Sequence, residues 1–574
     1  MQLTQSKSAN ATSLYVTKSV RIDGAPTTQV VEKLGTVAEL EKKLDGRDPI
    51  EWGKERAKEL TRLEKEGRRE IIVKYSPSQL IKKGEQRLYS GGYLFLQRIY
   101  HDLGIDKICA KLAEGRKFEF DLDAIMSRLV YGRIIFPASK TATYLLSKKF
   151  FEQPHFDGHH IFRALDVIGE GMDFIQSELY KRSAKAVDRN AGVLYYDCTN
   201  YFFEIEQEEG IKQYGCSKEH RPNPIVQMGL FMDGDGLPLA FSINDGNTNE
   251  QTTLKPLEKK ILSEFGLSKF VVCTDAGLSS AANRKFNDFG GRAFITTQSV
   301  KKLKKFLREW ALDTSGWLLS GDASGKKKLY DISRIDEDEH KESTFYKEQW
   351  INEDKLEQRL IVTYSIKYKD YQRRIRDGQV ARAEKLVGTN PTKLKKANQN
   401  DFKRFIEKVS ATDEGEVAEN DVYFINTQAI EAEEAYDGFY AVCTNLEDDV
   451  ADIVKVNHRR WEIEECFRIM KHEFKARPAY VRLDIRIKAH FLTCFISLLI
   501  YRILEKRLGE KYTCPQIIQE LRDMYFLEVK GEGYLPAYTR TDFTDALHDA
   551  FGFRTDHQIL PHSHMKKIFK QTKK

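Results

Sequence analysis

The sequence lacks closely spaced cysteines, although its 574 residues include eight of them. These cysteines are scattered along the chain, and no two form a Cys-x-x-Cys pair. Zinc ribbons and disulfide frameworks depend on paired cysteines, so the sequence excludes both kinds of site. Scattered cysteines of this kind are typical of a protein that works in a reducing compartment.

Long hydrophobic runs are also missing. The longest apolar run near the end of the chain, Phe491–Ile500, has ten residues, which is about half of the length needed to span a membrane. The amino terminus has no charged segment followed by an apolar one, as a secretion signal would have. We therefore expect a cytoplasmic protein without a membrane partner.

The net charge is only +6, but the charge is unevenly distributed. Residues 367–408 contain 13 Lys and Arg against five Asp and Glu, whereas residues 412–449 contain 12 acidic residues and no Lys or Arg. Residues 566–574 add five lysines. Basic segments suit the phosphate backbone of nucleic acid, but they are also common as solvated helix faces. The charge pattern alone leaves both interpretations open.

The chain is too long to fold around one hydrophobic core, so several domains are expected. Residues 105–113, 122–135 and 161–181 show helical spacing, and this helical region could bind DNA or serve as a scaffold. The patterns predict an α/β protein with six segments: a small accessory segment (1–85), a helical domain (86–190), the first part of an α/β core (191–299), an insertion domain (300–437), the second part of the core (438–510) and a helical C-terminal region (511–574).

Two aspartates follow apolar strand-like runs in the α/β region. Val193–Tyr196 predicts a buried strand that ends on Asp197, and Phe270–Thr274 predicts another that ends on Asp275. A hairpin and a helix are expected between them, which makes a mixed sheet. An aspartate after a strand is usually a turn residue or a helix cap. In a mixed sheet, however, two strand ends that lie side by side could bring both carboxylates together.

A third acidic residue lies in Asn457–Lys471, which we expect to be one helix. At 100° per residue, Ile463, Phe467, Met470 and Phe474 fall within about 40° and form an apolar seam. Arg460, Glu464, Arg468 and Lys471 fall within a similar band of about 40° beside that seam. Glu464 could simply form i,i+4 ion pairs with Arg460 and Arg468. It could also reach a site in the α/β core.

Phosphodiester chemistry gives these carboxylates a possible role. Divalent cations such as Mg²⁺ prefer hard oxygen ligands, and two ions about 3.5–4 Å apart can activate an attacking oxygen and stabilise a leaving one. Asp197 and Asp275 from two strands and Glu464 from a helix would supply such ligands. Gly246-Asn-Thr-Asn-Glu250 could line the same site or form an ordinary turn after a strand.

The sequence resembles the DDE transposases of bacterial insertion sequences. It is most similar to the branch with the motif Y-x2-R-x3-E-x6-K and a β-rich insertion in an RNase H-like domain. The matching segments are Leu194-Tyr-Tyr-Asp197-Cys-Thr-Asn, Val271-Val-Cys-Thr-Asp275-Ala-Gly and Arg460-Trp-Glu-Ile-Glu464-Glu-Cys-Phe-Arg-Ile-Met-Lys471. Further similarity lies in Arg133-Ile-Ile-Phe-Pro-Ala-Ser-Lys140 and Arg477-Pro-Ala-Tyr-Val. The tyrosine of the family motif is Asn457 here.

This resemblance implies a fold, a reaction and a set of functional residues. The fold would be an RNase H-like mixed sheet interrupted by an insertion domain, with an N-terminal helical domain and C-terminal helices. Asp197, Asp275 and Glu464 would bind two Mg²⁺ or Mn²⁺ ions and form the catalytic triad. Arg460 and Lys471 would contact DNA phosphate, and Arg468 and Trp461 are assigned to the same DNA contact.

The reaction implied is cleavage at transposon ends, followed by joining of the 3′-hydroxyls to target DNA. The partners would be double-stranded DNA, as inverted-repeat ends and as target, and a second copy of the chain in a homodimer. The protein would then be nucleoid-associated when bound to DNA. Two alternatives are a DNA-binding protein that has lost catalysis and a related nuclease that cuts without joining.

Overall fold

The fold is taken from a computed structural model, which describes residues 1–8, 11–22, 25–65, 70–73, 76–321, 328–389, 400–411 and 417–574. The strands are β1 (Gln2–Lys7), β2 (Thr12–Ile22), β3 (Ala25–Thr36), β4 (Leu88–Ser90), β5 (Val193–Phe202), β6 (Ile225–Asp233), β7 (Pro238–Asp245), β8 (Val271–Thr274), β9 (Ala293–Gln298), β10 (Leu318–Leu319), β11 (Thr344–Glu353), β12 (Leu356–Ser365), β13 (Ile406–Ala411), β14 (Val417–Ile425), β15 (Phe439–Thr444), β16 (Tyr525–Val529), β17 (Gly533–Pro536) and β18 (Leu560–Pro561).

The α-helices are α1 (Val37–Lys43), α2 (Pro49–Lys65), α3 (Tyr93–Asp102), α4 (Ile105–Ala113), α5 (Leu122–Ile135), α6 (Lys140–Ser147), α7 (His160–Glu170), α8 (Met172–Ala186), α9 (Leu254–Lys260), α10 (Ala281–Asn287), α11 (Lys305–Leu312), α12 (Ile366–Val387), α13 (Thr427–Glu434), α14 (Val450–His458), α15 (Trp461–Arg468), α16 (Asp484–Arg507), α17 (Cys514–Asp523), α18 (Asp542–Phe551) and α19 (His562–Gln571). Short 3-10 helices cover Glu250–Thr252, Val300–Lys302 and Phe402–Phe405, and π-helical turns cover Ile261–Phe265 and Ile469–Glu473.

The chain divides into two compact units. The first contains residues 1–171, 473–475 and 489–574, and the second contains residues 172–472 and 476–488. Both ends of the chain therefore belong to the first unit, and the second unit is formed by the middle of the chain.

The first unit combines helices with two small antiparallel sheets. One sheet has the order β1-β2-β3, and the other has the order β18-β17-β16-β4, so C-terminal strands pair with β4 near residue 90. The prediction that residues 511–574 are helical is therefore wrong for β16, β17 and β18. Helices α4 and α5 confirm the predicted spans, and the Ser139 hydroxyl caps α6 by accepting a hydrogen bond from Ala142 N at 3.2 Å.

Two apolar helices supply much of the core of the first unit. In α5, residues from Ile125 to Ile135 are almost all buried. Among the described residues, α16 alone is long and apolar enough to cross a membrane, but 94% of its most apolar window is buried inside the protein. The Ser497 hydroxyl of α16 donates a hydrogen bond to Val130 O of α5 at 3.3 Å, so these two helices pack together. The predicted helix 161–181 is instead two helices, α7 and α8, separated at Gly171.

The second unit is organised around a large mixed sheet. The strand order is β10-β11-β12-β15-β9-β8-β5-β6-β7. Strands β5, β8 and β9 run parallel to one another, and the other neighbours in the sheet are antiparallel. The predicted hairpin, β6–β7, and the predicted strand before Asp275, β8, are confirmed. The prediction that the first strand ends at Tyr196 is wrong, because β5 continues to Phe202 and Asp197 lies within it.

Helices cover both faces of this sheet near β5. On one face, Leu194, Tyr196 and Cys198 pack with apolar residues of α9 and of the π-helical turn that follows it, including Leu257 and Ile261. The residues between them on β5 point to the opposite face, because successive side chains of a strand alternate. That opposite face is covered by α14 and α15, as the contacts described below show.

The segment between β9 and β15 extends the same sheet. Strands β10, β11 and β12 lie next to β15, and a core around Trp317, Phe345 and Leu360 joins them to α11. The basic helix α12 follows β12 and packs against the β13–β14 hairpin through Ala383, Phe405 and neighbouring residues. Residues 390–399 of the basic segment and 412–416 of the acidic segment lie outside the described residues.

The predicted single helix from Asn457 to Lys471 is interrupted. Helix α14 ends at His458, a turn covers residues 459–460, and α15 begins at Trp461. The last turn is π-helical from Ile469. The apolar seam is nevertheless confirmed, since Ile463, Phe467, Met470 and Phe474 are all buried.

Candidate active site

Asp197 and Asp275 lie at matching positions of two neighbouring parallel strands. The ladder pairs Tyr195 of β5 with Cys273 of β8, and the same register continued by two residues sets Asp197 opposite Asp275. Parallel strands are about 4.8 Å apart. Strand β8 ends at Thr274, so Asp275 begins the loop beyond it, whereas β5 continues beside β6. The two aspartates therefore flank the open end of β8.

The face of β5 that carries Asp197 is the face covered by the helical stretch of α14 and α15. The Tyr195 hydroxyl donates a hydrogen bond to Val456 O at 2.9 Å, and the Tyr201 hydroxyl lies 3.9 Å from Met470 Sδ. The strand advances about 20 Å between its two tyrosines, and the helical stretch advances about 21 Å between its two partners. The helices therefore run along β5, and their middle passes beside Asp197.

Arg460 and Glu464 come from this middle part and project from the same side of the helical stretch. Burial raises the pKa of the Cys273 thiol on β8 to about 12, and the charge of Arg460 opposes that shift. Arg460 and Glu464 both line an open cavity of about 560 Å³, together with Tyr440 and Trp461. The other lining residues include Thr344 of β11, Thr363 of β12 and Tyr371 of α12, and neither Asp197 nor Asp275 lines this cavity. Glu464 therefore lies at a cavity on the β12–β15 part of the sheet.

Glu464 is exposed, and neither of the i,i+4 ion pairs considered from the sequence is present. Arg468 instead pairs with Glu465 at 2.5 Å, and Arg459 pairs with Glu462 at 3.0 Å. Within the described residues, Glu464 has no ion-pair partner. Its carboxylate is therefore available to a ligand that enters the cavity.

The three carboxylates do not form a closed cluster. Among the described residues, groups of three His, Cys, Asp or Glu side chains meet within 4.8 Å at two places, and neither place includes Asp197, Asp275 or Glu464. The strand register brings the two aspartates near each other, whereas Glu464 lines a cavity that neither aspartate lines. All three belong to the second compact unit.

The two aspartates offer a donor set that fits a hard divalent cation. Burial raises the pKa of Asp197 to about 6; the charge of Lys218 opposes this shift and the charge of Asp275 adds to it. Asp197 Oδ1 accepts a hydrogen bond from Cys198 N at 2.7 Å, and Asp275 Oδ1 accepts one from Leu278 N at 2.9 Å. In the described part of the chain, the second oxygen of each carboxylate has no hydrogen-bond partner. Two such oxygens suit Mg²⁺ or Mn²⁺.

Sequence reasoning overlooked a lysine beside Asp197. Lys218 Nζ donates a hydrogen bond to Cys198 O and lies 3.3 Å from Glu250 Oε1. Asn200 fixes the loop that carries this lysine: its side chain accepts a hydrogen bond from Lys218 N at 3.3 Å and donates one to Cys216 O at 3.0 Å. The polar, charged sequence from Gly215 to Arg221, directly between two strands, is the signal that could have indicated this loop.

The Gly246–Glu250 turn, which the sequence left open, lies at the edge of the site. Glu250 pairs with Lys218, and the neighbouring Gln251 Nε2 donates a hydrogen bond to Gly277 O at 2.9 Å, two residues after Asp275. Thr253 Oγ1 lies 3.2 Å from Cys198 Sγ. This turn therefore contacts the chain next to both aspartates.

Lys471 is largely buried in the same network. Its ammonium lies 3.6 Å from Glu219 Oε1 and 5.5 Å from the centre of the Tyr201 ring. Arg477 pairs with the same Glu219 carboxylate. Burial lowers the pKa of Lys471 to about 8, with a further contribution from the charge of Lys218. The charges of Lys218 and Asp197 thus both act on Lys471.

Arg468 and Trp461, the other two residues assigned to DNA contact, are on the surface. Trp461 is 61% exposed, and the Arg468 side chain is 44% exposed beside Glu465. Both are accessible to a large ligand that approaches the cavity wall.

Asn457, which replaces the family's tyrosine, is a buried link between strands. It is 3% exposed. Its Nδ2 donates a hydrogen bond to the Tyr440 hydroxyl at 2.8 Å, and Cys273 Sγ lies 3.6 Å from its Oδ1. The Tyr440 hydroxyl also lies 2.8 Å from Thr297 Oγ1. A tyrosine hydroxyl is thus present next to Asn457, but it comes from β15.

Comparison with known proteins gives one extensive match. A family profile described as "Transposase DDE domain" matches residues 199–500, which is more than half of the chain. The matched range includes Asp275 and Glu464 and begins two residues after Asp197. A search of the curated proteins finds no match.

Among solved structures, the chain is similar to a piggyBac transposase in a synaptic complex with hairpin DNA, determined by cryo-EM. The sequence identity is 8%, the TM-score is 0.36, and the alignment covers 76% of this chain and 82% of that chain. A TM-score of this size does not establish a common fold.

Proposed function

The chain belongs to the family of transposases with a DDE domain, and on that premise we propose that it cleaves the ends of a mobile DNA element and joins the freed 3′-hydroxyls to target DNA. The observation that supports this reaction most directly is the strand register of Asp197 and Asp275. Glu464 adds a third carboxylate on the helical stretch that covers the same face of β5.

The finer classification, a bacterial insertion-sequence transposase with an RNase H-like core, is part of the proposal. The order β7-β6-β5-β8-β9 supports it, because an antiparallel β5–β6–β7 meander is followed by the parallel strands β8 and β9. On this view, the segment from residue 300 to residue 437 is the insertion domain, and its strands lengthen the core sheet.

Asp197, Asp275 and Glu464 are the residues that would hold Mg²⁺ or Mn²⁺. When bound, two such ions would activate the attacking oxygen and stabilise the leaving oxygen of the phosphodiester. Asp197 is held within β5, Asp275 directly follows β8, and each carboxylate accepts a backbone N–H hydrogen bond, so the two form the fixed side of the site. Glu464 is exposed and lacks an ion-pair partner in the described chain, so no ion pair fixes its side chain. Its role as a third ligand is proposed from its position on the helical stretch that covers the same face of β5.

The cations of the site would position the DNA. Arg460 lies on the cavity wall beside Glu464, and Lys471 lies near Asp197. Trp461 and Arg468 would contact the DNA from the exposed surface next to them. Double-stranded element ends and target DNA are the proposed partners, with a homodimer bridging two ends and the helical domain of residues 86–190 binding end DNA.

The experiment that tests this function uses the full chain and a supercoiled plasmid that carries the DNA flanking the gene. Asp197→Asn, Asp275→Asn and Glu464→Gln should each lower Mg²⁺-dependent cleavage by at least about a thousandfold, because each removes a metal ligand. End binding in a gel-shift assay should stay within a few-fold of wild type.

Glu465→Gln is the matched control, since it neutralises the adjacent carboxylate, which pairs with Arg468. It should retain cleavage. Equal cleavage by wild type and Asp197→Asn would refute the assignment. Cleavage without strand-transfer products would identify a nuclease, and end binding without cleavage by the wild type would identify a DNA-binding protein.

A further inference from the structure

The loop between β5 and β6 places a positive charge next to the aspartates. Lys218 Nζ donates a hydrogen bond to the carbonyl of Cys198, the residue after Asp197, and lies 3.3 Å from Glu250 Oε1. The Lys218 side chain is 40% exposed, so its ammonium can reach a ligand in solvent. This ammonium is thus fixed on one side and open on the other.

The Lys218–Glu250 pair differs from an ordinary surface ion pair in how its backbone is held. Exposed lysine–glutamate pairs contribute little to stability and are easily rearranged. Here the backbone on each side of the pair is also fixed. Asn200 bonds both Cys216 O and Lys218 N, and a Cβ atom added to Gly215 would lie 2.0 Å from Gly246 O. Since the backbones meet there without side chains, the Lys218 loop and the Glu250 turn pack as one piece.

We propose that Lys218 is a further residue of the reaction site, which binds the phosphate under attack, and that Glu250 and Asn200 are the positioning residues that aim it. This inference rests on the proposed function, because it places the scissile phosphate beside Asp197. Lys218 supplies a point charge to a non-bridging phosphate oxygen, where negative charge must be stabilised during the displacement.

The position of Lys218 also affects metal binding in the absence of DNA. A positive charge a few ångströms from a divalent ion weakens binding of that ion by roughly tenfold or more, even in a water-like dielectric. The Lys218 ammonium therefore opposes metal binding in the absence of DNA. When the DNA phosphate is bound, its negative charge reduces the repulsion between the ammonium and the divalent ion. We therefore expect the aspartates to bind the divalent ion tightly only when DNA is bound beside Lys218.

The first measurement is Mn²⁺ binding by the full chain without DNA, followed through the electron paramagnetic resonance signal of free Mn²⁺. Lys218→Met should bind Mn²⁺ roughly tenfold more tightly than wild type, whereas Lys218→Arg should bind it like wild type. Lys259→Met is the matched control, because it removes an exposed lysine from α9 of the same compact unit. It should leave Mn²⁺ affinity unchanged.

The second measurement is steady-state cleavage of end DNA at saturating Mg²⁺. Lys218→Met should lower kcat by about a hundredfold, with KM for DNA changed less than about threefold, because one charged contact to the transition state is lost. Lys218→Arg should restore part of kcat. Glu250→Gln keeps the lysine and its hydrogen bond to Cys198 O but removes the carboxylate that pairs with its ammonium, so it should lower kcat by about tenfold.

Wild-type Mn²⁺ affinity in Lys218→Met would overturn the proposal, because the ammonium would then lie away from the ion site. Wild-type kcat in a folded Lys218→Met protein would overturn it as well. Either result, obtained with a wild type that binds Mn²⁺ and cleaves DNA, leaves the proposed function standing. A wild type that neither binds Mn²⁺ nor cleaves would instead remove the proposed function, and the role of Lys218 with it.

Discussion

Asp197 faces Asp275 two residues beyond the last paired position of β5 and β8. Tyr195 and Cys273 form the last pair of the β5–β8 ladder, and the same register extended by two residues sets Asp197 beside Asp275, the first residue after β8. Two negative charges at this spacing repel each other, and the charge of Asp275 raises the pKa of Asp197 in addition to the effect of burial. The folded protein therefore holds a repulsion that a divalent cation or a proton would relieve.

The first prediction concerns the stability of the metal-free protein. In EDTA near pH 7.5, Asp197→Asn should be more stable than wild type by about 1–2 kcal/mol, since it removes an ionised carboxylate from an unfavourable site. The folded pKa of about 6 lies above the usual value. The contribution of Asp197 to the free energy of unfolding of the wild type therefore falls as pH rises from about 4 to 6. The difference in stability between Asp197→Asn and wild type should vanish near pH 4.

Calorimetric melting of both proteins over this pH range would measure the effect. Asp288→Asn is a suitable control, because this exposed aspartate accepts a hydrogen bond from Asn445 and lies away from the two strands' open end. A wild type that is as stable as Asp197→Asn near pH 7.5 would contradict the prediction.

The second prediction concerns the pH dependence of DNA binding. Burial lowers the pKa of Lys471 to about 8, so its charge is present below that pH and is lost as pH rises through it. Affinity for end DNA should therefore fall between about pH 7 and pH 9 in wild type. Lys471→Arg should keep its affinity over this range, because arginine stays charged. Fluorescence anisotropy at constant ionic strength would show the difference, and equal pH profiles for the two proteins would count against it.

The third prediction concerns Asn457. Asn457→Ala removes a buried amide and one of the two hydrogen-bond partners of the Tyr440 hydroxyl, so it should lower the free energy of unfolding by about 1–3 kcal/mol. Asn457→Tyr, which restores the family's residue, should cost at least as much, because the side chain is 3% exposed and a ring must displace its neighbours. Lys455→Ala on the same helix is the exposed control and should change stability by less than about 0.5 kcal/mol. An Asn457→Tyr protein as stable as wild type would show that the site has room for the ring.

Sequence patterns predicted several single elements of this fold. Spacing of apolar residues indicated α4 and α5 at their observed bounds, and apolar runs indicated the β6–β7 hairpin and the strand before Asp275. These signals are local, because they depend on which side of one helix or strand is buried. The pairing of β16 with β4 could not be predicted, since it joins segments more than 400 residues apart.

In the candidate site, too, the features encoded locally were predicted and those that depend on long-range contacts were not. Asp197, Asp275 and Glu464 could be identified because each has a recognisable sequence context. The end of β5 was predicted too early, at Tyr196, because aspartate commonly follows the last residue of a strand. In the structure, the backbone of Asp197 still pairs with Leu230 of β6. Lys218 was missed because its position depends on Asn200 and Glu250, two contacts that no periodic pattern encodes.

The alternation of side chains along β5 restricts how this protein can change over evolutionary time. Asp197 lies on the face of β5 that α14 and α15 cover, between Tyr196 and Cys198, which point to the opposite face. Inserting or deleting a single residue just before it would exchange these roles, sending the acid inward and an aromatic ring outward. Substitutions can change the surroundings of Asp197 gradually, but an insertion or deletion in β5 would remove its carboxylate from the site in a single step. We therefore expect chain length to vary in the loops and not in β5.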